Sequence, residues 1–477
     1  MNVNMNEGVS SSSNSNSNNN TNTSICKPTD IRIVEAEPIF VEARARSPLK
    51  FGAVIMDDVT YCVVRVRVEN RRGESSVGYG GIFLAGLWCF PDPTVAYAKK
   101  DALMRSMVNR ICSLFIKNNT YGHPVELFDI VEQELEHENA AACLEHAVNP
   151  AMPFLGVLVC ASPVDAAVHD AYGRLYGMSS YDVLGSDFVN MDLSHYLGRD
   201  YRGLYIDNFL SRHYKPRLPV FHLVGGLDKL FRDADSPADF PDNLEDWIAR
   251  DGLYCLKIKL SGADIEWDLA RTLDVDKAAR NKVDKLYYSL DTNEQCRHPD
   301  YVIELLSKLR ETAPDLYRDI LYIEQPTERD LSAKRFDMRA VAAMKPIILD
   351  ESLTSIADLR LAMALGWTGI AIKTCKCQSM ELLMICAAEK YGIPYTLQDL
   401  TNPSLALIHS ASLAARTNTM MGFESNSMQY YPHVSIRESA AHPDIFYIRD
   451  GEIRTDSLNP VGLGYSEKLA EEIYSSR

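Results

Sequence analysis

Three short apolar runs of this 477-residue chain each close on a carboxylate: Asp291 in YYSLD, Glu324 in LYIE and Asp350 in PIILD. Lysines flank them, Lys257 and Lys259 in LKIKL before and Lys373 in GIAIK after. Side chains alternate along a strand, so Lys257 and Lys259 point one way while Leu256 and Ile258 point the other. Burying two ammonium groups on one face is costly unless anions stand nearby. Three converging carboxylates in turn repel one another unless a cation neutralises them, and oxygen-only ligands favour a hard ion such as Mg²⁺. Taken singly, Asp291 or Asp350 also suits a helix N-cap. Three carboxylates in consecutive units, with lysines on both sides, fit that alternative poorly.

Such residues meet only if the chain brings strand ends together. From Leu218 onward it alternates strand candidates (PVFHLVGG, LYCLKIKL, LYYSLDTN, LYIEQPT, PIILDES, GIAIKTC, PYTLQDL, MMGFES) with helical stretches such as DYVIELLSKLRE and SMELLMICAAEKYG. Eight such units in about 210 residues match a lean (β/α)8 barrel and close more readily than they leave a doubly wound sheet open. In a barrel, chemistry collects where strands end. Those positions hold Lys257 and Lys259 on the second strand, Asp291 and Asn293 on the third, and Glu324 on the fourth. The fifth offers Asp350 with Glu351, the sixth Lys373, the seventh Gln398 and Asp399, and the eighth Glu424.

The expected fold class is therefore α/β, a (β/α)8-type barrel over 217–425 preceded by an α+β capping domain over 30–185. In the latter, IRIVEAEPIFVEARA and VTYCVVRVRVEN read as strands, glycine-rich GYGGIFLAG follows, and helices run from about Asp92 to Leu184. Pro163 is placed near the start of the last of these helices. Residues 186–216 show no clear period and are expected to be an inserted loop. Residues 1–29, an Asn/Ser tract without an apolar core segment, are expected to be a disordered tail and not a secretory signal.

A formal charge of −16 leaves no basic surplus for phosphates, so neither nucleic-acid nor anionic-membrane binding is expected. No apolar run approaches the ~20 residues of a membrane span. The eleven cysteines are scattered among apolar neighbours, which suits a reducing, cytoplasmic setting. Cys375 and Cys377 lack a second ligand pair for zinc.

The motifs LKIKL, SLDTNE, YIEQPT, ILDES and IAIKT resemble, in order and strand position, those of the enolase superfamily, in particular its muconate lactonizing enzyme subgroup. PVDAAVHDAYGRLYGMSSYDVLG is similar to the family's last capping helices, and residues 426–477, with IRDGEIRTDSLNPVGLGYSEKLAEE, to the segment that returns to the cap. The resemblance implies Mg²⁺ held by Asp291, Glu324 and Asp350, with Lys259 and Lys373 as acid/base on opposite substrate faces. Lys257 would lie beside the substrate carboxylate, and Asn293 and Glu351 would orient the ligands and lysines. It also implies a small-molecule carboxylate substrate and a symmetric homo-oligomer. The chemistry would be removal of a proton α to a carboxylate through a metal-stabilised enediolate. A lysine, a poor base at ~10.4, would be tuned for that task by cationic neighbours and burial.

The expected enzyme is an isomerase, a racemase or epimerase, with dehydratase or cycloisomerase activity as alternatives. PYTLQDL lacks the strand-seven histidine of the mandelate racemase branch, and GFESNSM lacks the paired aspartates of dipeptide epimerases. Asp399 and Glu424 are placed to touch substrate or to cap a loop. Two cap loops would close over the site: RSPLKFG, where Lys50 could meet an anionic group, and GYGGIFLAGLWCF, where Trp88 could cover an apolar portion or pack in the core. Lys376 is expected to be a solvated loop charge, and His222 and His298 to be structural or loop residues. The rival readings are a Schiff-base aldolase using Lys373 and a non-catalytic metal-binding barrel.

Overall fold

The computed structural model describes residues 26–52 and 54–476. The expected tail lies outside the described residues except for residues 26–29, which are tied down and not disordered. There Tyr176 Oη donates to the Thr29 carbonyl at 2.9 Å, and the Lys27 ammonium donates to the carbonyls of Ser186 and Val189.

The cap begins as an antiparallel sheet of β1 (Ile31–Phe51), β2 (Val54–Asn70) and β3 (Ser75–Phe83). Alternation drives it: Val64, Val66 and Val68 are buried, while Arg65 and Arg67 point out to Glu35 at 3.3 and 2.6 Å. Helices α1 (Gly86–Cys89), α2 (Tyr97–Asn118), α3 (Pro124–Glu145) and α4 (Phe154–Leu175) follow. Both expected cap loops are in large part strand. After an irregularity between Arg44 and Leu49 the β1–β2 ladder resumes, pairing Lys50 with Ile55 and Phe51 with Val54. The glycine-rich stretch belongs to β3, where a Cβ on Gly78 or Gly80 would stand 2.2 Å from backbone atoms of Ala171 or Pro163 in α4. Those glycines serve close sheet–helix packing and not a turn.

Pro163 sits inside α4, which starts nine residues earlier at Phe154 because FLGVLVCAS continues the apolar helical run. The Val159 carbonyl, deprived of its usual donor by Pro163, accepts from Ser162 Oγ at 2.9 Å. By length and composition α4 is apolar enough to cross a membrane, yet 94% of that window is buried in the fold. It is the core helix of the cap.

The barrel consists of β4 (Arg217–Val224), β5 (Cys255–Lys259), β6 (Tyr287–Asp291), β7 (Ile320–Glu324), β8 (Ile347–Leu349), β9 (Gly369–Lys373), β10 (Tyr395–Gln398) and β11 (Phe423–Glu424). Each strand pairs in parallel with the next, and β11 pairs back onto β4, Phe423 opposite Val220 and Glu424 opposite Phe221. The sheet is thus closed, as the strand count required. After the barrel, β12 (Glu452–Arg454) adds antiparallel to β4, and the chain returns to the cap, where Tyr474 stacks 5.9 Å from Tyr79. The 186–216 stretch is packed against the fold: Leu193, Leu197, Tyr201 and Ile206 are buried in or beside short helical turns joined by irregular backbone, and Tyr201 meets Tyr391 at 6.1 Å. Its lack of a period reflects turns too short to repeat.

Cap and barrel are joined by buried polar groups as well as apolar contact. Asp165 of α4 accepts from the Ser379 amide at 2.7 Å and the Ser379 hydroxyl at 2.8 Å, and His169 Nε2 lies 2.9 Å from that hydroxyl. Burial pushes the Asp165 carboxyl up to about 7 against the donors from Ser379. The folded chain then holds a proton that the unfolded chain releases near ~3.9, so this contribution to stability is present at low pH and lost as pH rises through about 7. Asp165→Asn should remove that part of the slope of unfolding free energy between pH 4 and 7, whatever its constant offset; urea titrations at several pH values would show an unchanged slope if Asp165 is ionised throughout.

Candidate active site

The strand ends of β5 to β11 turn their polar side chains into the barrel mouth beneath the cap. Lys257 and Lys259 share the inward face of β5, and Leu256 and Ile258, also buried, take the other. The anions that burial of two lysines demands are there. The Lys257 ammonium lies 2.7 Å from Glu324 Oε1, 2.8 Å from Glu424 Oε2 and 3.2 Å from Asp291 Oδ2, with Gln398 Oε1 at 3.3 Å. Lys259 donates to Asp291 Oδ2 at 2.5 Å and to Asn293 Oδ1 at 3.0 Å. Across the barrel, Lys373 donates to Asp350 Oδ2 at 2.6 Å. Strands β5 and β9 are four apart in a ring of eight, so these two lysines face each other.

Ladder register places the carboxylates: Lys259 lies opposite Asp291, and Asp291 opposite Glu324. The turns beyond take left-handed backbone at Asn293 (φ 43°), Glu294 (φ 63°) and Gln325 (φ 30°), strain of the kind found around functional sites. Gln325 uses its geometry fully. Its Oε1 accepts from the amides of Asp350 at 2.9 Å and Ser352 at 3.2 Å, and its Nε2 donates to Ser352 Oγ at 2.7 Å. Gln398 Nε2 holds Glu324 Oε2 at 2.7 Å.

The electrostatics follow from burial and neighbours. Burial pushes the Glu324 carboxyl up, and Asp291 and Asp350 add to it against Lys257, to about 8. Burial likewise takes Glu351 to about 7, with Asp350 adding repulsion. Burial opposes ionisation of Asp350, but Lys373, Lys376 and Lys257 overcome it and hold the group well below the usual carboxylate range. Burial pulls the Lys373 ammonium down, and the Asp350, Glu324 and Glu351 carboxylates outweigh that, so it stays firmly protonated. The same balance, led by Glu324, holds Lys257 protonated.

Asp291, Glu324, Asp350, Lys257, Lys259, Lys373, Asn293 and Glu351 thus come together. Glu424 joins them through Lys257 and accepts from Asn426 at 2.9 Å. Asp399 serves the loop instead, accepting from the amides of Thr401 at 2.7 Å and Asn426 at 2.9 Å, with burial and Glu424 lifting it to about 8. Trp88 enters from the cap: its indole donates to Glu351 Oε1 at 2.9 Å, and Lys373 lies 4.6 Å from the ring centroid. Phe51 lies 6.0 Å from Lys259. Lys50 stands farther out, lining with Lys259, Ser261 and Trp267 a cavity of about 210 Å³. His222 packs on Trp247 and His409 lies in a barrel helix, both buried and held neutral by burial.

Lys376 overturns its expectation. It is 1% exposed, not solvated, and donates to the Asp350 carbonyl at 2.7 Å, with Asp350 Oδ1 at 3.3 Å. A tight turn over Thr374–Lys376 swings it inward, where a charge among carboxylates is at home. Lys376 and Gln325 are the site residues that sequence reasoning missed. Gln325 was signalled only by standing between Glu324 and a proline, and Lys376 by the lack of a turn signal after GIAIK.

Among the described residues no three His, Cys, Asp or Glu side chains already stand as a ligand group. The reason is visible: the Lys257 ammonium bridges Asp291 and Glu324, while Lys373 and Lys376 hold Asp350. The donor chemistry itself, hard carboxylates on three neighbouring strands with more anions than ammonium groups, suits a divalent cation.

A closed barrel, a sheet-and-helix cap and a carboxylate–lysine mouth between them define a class of fold and site. Residues 239–472, just under half of the chain, match the family described as Enolase C-terminal domain-like. Its fold is shared along nearly its whole length with 2-chloromuconate cycloisomerase from Rhodococcus opacus, at 18% identity and TM-score 0.56 over 93% of this chain and 99% of that one. N-succinyl Arg/Lys racemase from Bacillus cereus matches at 17% identity and TM-score 0.57 over 93% and 98%. A dipeptide epimerase from Enterococcus faecalis, solved with Mg and L-Leu-L-Tyr, matches at 16% and 0.54 over 91% and 100%. No curated protein sequence matches the chain significantly.

Replacing the buried Lys376 by Met should lower the unfolding free energy by about 3 kcal/mol, the cost of breaking a buried pair. Denaturant unfolding checks this; a change within about 0.5 kcal/mol, ordinary for a surface lysine, would refute the inward role.

Proposed function

We propose that this protein abstracts and returns the proton α to a substrate carboxylate, acting as a racemase or epimerase. What carries the reading is the pair Lys259 and Lys373, facing each other across one cavity of about 40 Å³ whose other walls include Phe51, Met56 and Trp88. A carbon held between them presents one face to each lysine. The apolar walls exclude water, which protects a carbanion-like species and strengthens every charge interaction.

Lys259 removes the proton from one face and Lys373 returns one to the other, or the reverse for the mirror-image substrate. The protonated state of Lys373 suits the donor half of this cycle. Lys257, held as an ammonium by Glu324, Glu424 and Asp291, binds the substrate carboxylate and opposes the charge that develops on it. Asn293 orients Lys259, and Gln325 and Lys376 fix the position of Asp350. Mg²⁺ held by Asp291, Glu324 and Asp350 would supply a further positive charge for the substrate carboxylate. Ten of the eleven cysteines are buried and all are free, which supports a reducing, cytosolic setting.

The test is proton exchange. Pools of α-substituted carboxylic acids incubated with the protein in D₂O should gain deuterium at Cα, with the epimer appearing alongside. Lys259→Ala or Lys373→Ala should slow epimer formation by at least 10²-fold, the usual worth of a general acid–base group, and EDTA should abolish it reversibly. A keto product without exchange into unreacted acid would point to elimination; borohydride trapping at Lys373 would point to Schiff-base chemistry.

A further inference from the structure

We propose that Trp88 of the cap is the positioning residue of Lys373 and, through Glu351 and Asn293, links it to Lys259. A continuous chain of contacts carries the inference. The Lys373 ammonium lies 4.6 Å from the Trp88 ring centroid, and the indole N–H donates to Glu351 Oε1 at 2.9 Å. The same oxygen accepts from Asn293 Nδ2 at 3.1 Å, and Asn293 Oδ1 accepts from Lys259 at 3.0 Å. The two lysines thus stand at the ends of one network that crosses the site through a cap residue.

Glu351 makes the link directional. Its second oxygen, Oε2, is buried without a hydrogen-bond partner among the described residues, so the carboxylate takes its direction from the Trp88 and Asn293 donors. The indole is fixed in turn by its backbone. Arg329, on the loop after β7 and ion-paired with Glu294, donates to the carbonyls of Trp88 at 3.0 Å and Cys89 at 3.3 Å. The barrel therefore seats α1, and α1 places the ring against Lys373. A buried indole needs a partner for its N–H in any role; what a ring serving only to fill the core would not need is the ammonium against its face.

Two measurements test this. The first needs no substrate. With ¹⁵N-labelled indoles, the Trp88 Nε1–H signal, identified by its loss in Trp88→Phe, should shift in Glu351→Gln and in Lys373→Met. A signal unmoved by either change overturns the proposal. The second rests on the proposed function. With faces assigned by Lys259→Ala and Lys373→Ala, Trp88→Phe and Trp88→Leu should slow exchange at the Lys373 face at least tenfold more than at the Lys259 face, Leu more than Phe, with KM within about twofold.

Equal slowing at both faces with a lowered Tm would mark a structural role, and a raised KM alone a substrate contact; either overturns the positioning role. If the wild-type protein exchanges no acid, the functional reading fails while the indole signal still decides the geometry.

Discussion

The structure depends on the mutual compensation of buried charge at the barrel mouth. Asp291, Glu324, Asp350, Glu351 and Glu424 lie buried beside the ammonium groups of Lys257, Lys259, Lys373 and Lys376. Any of them alone would cost several kcal/mol to bury; together each is held by its opposite. The compensation is incomplete in one direction, because carboxylates outnumber ammonium groups. Glu324 and Glu351, the groups with the most like charge near them, rise to about 8 and about 7. A site with that residual imbalance attracts cations and tolerates an anionic ligand only where an ammonium faces it, which is at Lys257 and the two opposed lysines.

Parallel strands make the arrangement possible at low cost. Register, not side-chain reach, sets Lys259 against Asp291, Asp291 against Glu324, and Gln398 against both Lys373 and Glu424. Stability and reactivity come from the same ladder: the hydrogen bonds that close the barrel bring the charges to neutralising distance. The turns just past the strands absorb the strain, as the positive φ of Asn293 and Gln325 shows. Their side chains then brace the first row, Asn293 to Lys259 and Gln325 to the Asp350 amide.

That dependence on register explains what could be read from the amino acids. Asp291, Glu324, Asp350 and the lysines of LKIKL and GIAIK stood at equivalent places in a strand–helix repeat, so the repeat located them. Lys376 escaped because its direction is set by a turn of three residues, Thr374–Lys376, with no period to reveal it. The cap glycines misled for a related reason. Gly78 and Gly80 looked like loop residues, but their meaning lies in a helix more than eighty residues away that touches them at backbone distance. Periodic patterns report local structure and long-range approach leaves no period.

The cap completes what the barrel begins. The barrel contributes the buried lysines and carboxylates of the cluster, whereas Phe51 and Trp88, rings set against the two opposed lysines, come from the β1–β2 hairpin and from α1. An ammonium against an aromatic face keeps an attractive partner while losing water, so the cap can dry the site without stranding either lysine. Because Arg329 and Glu294 on barrel loops hold the backbone of α1, correct seating of the cap and correct placement of Lys373 become one structural event. In this fold the apolar roof is therefore part of the charge network, joined to it by the single N–H of Trp88.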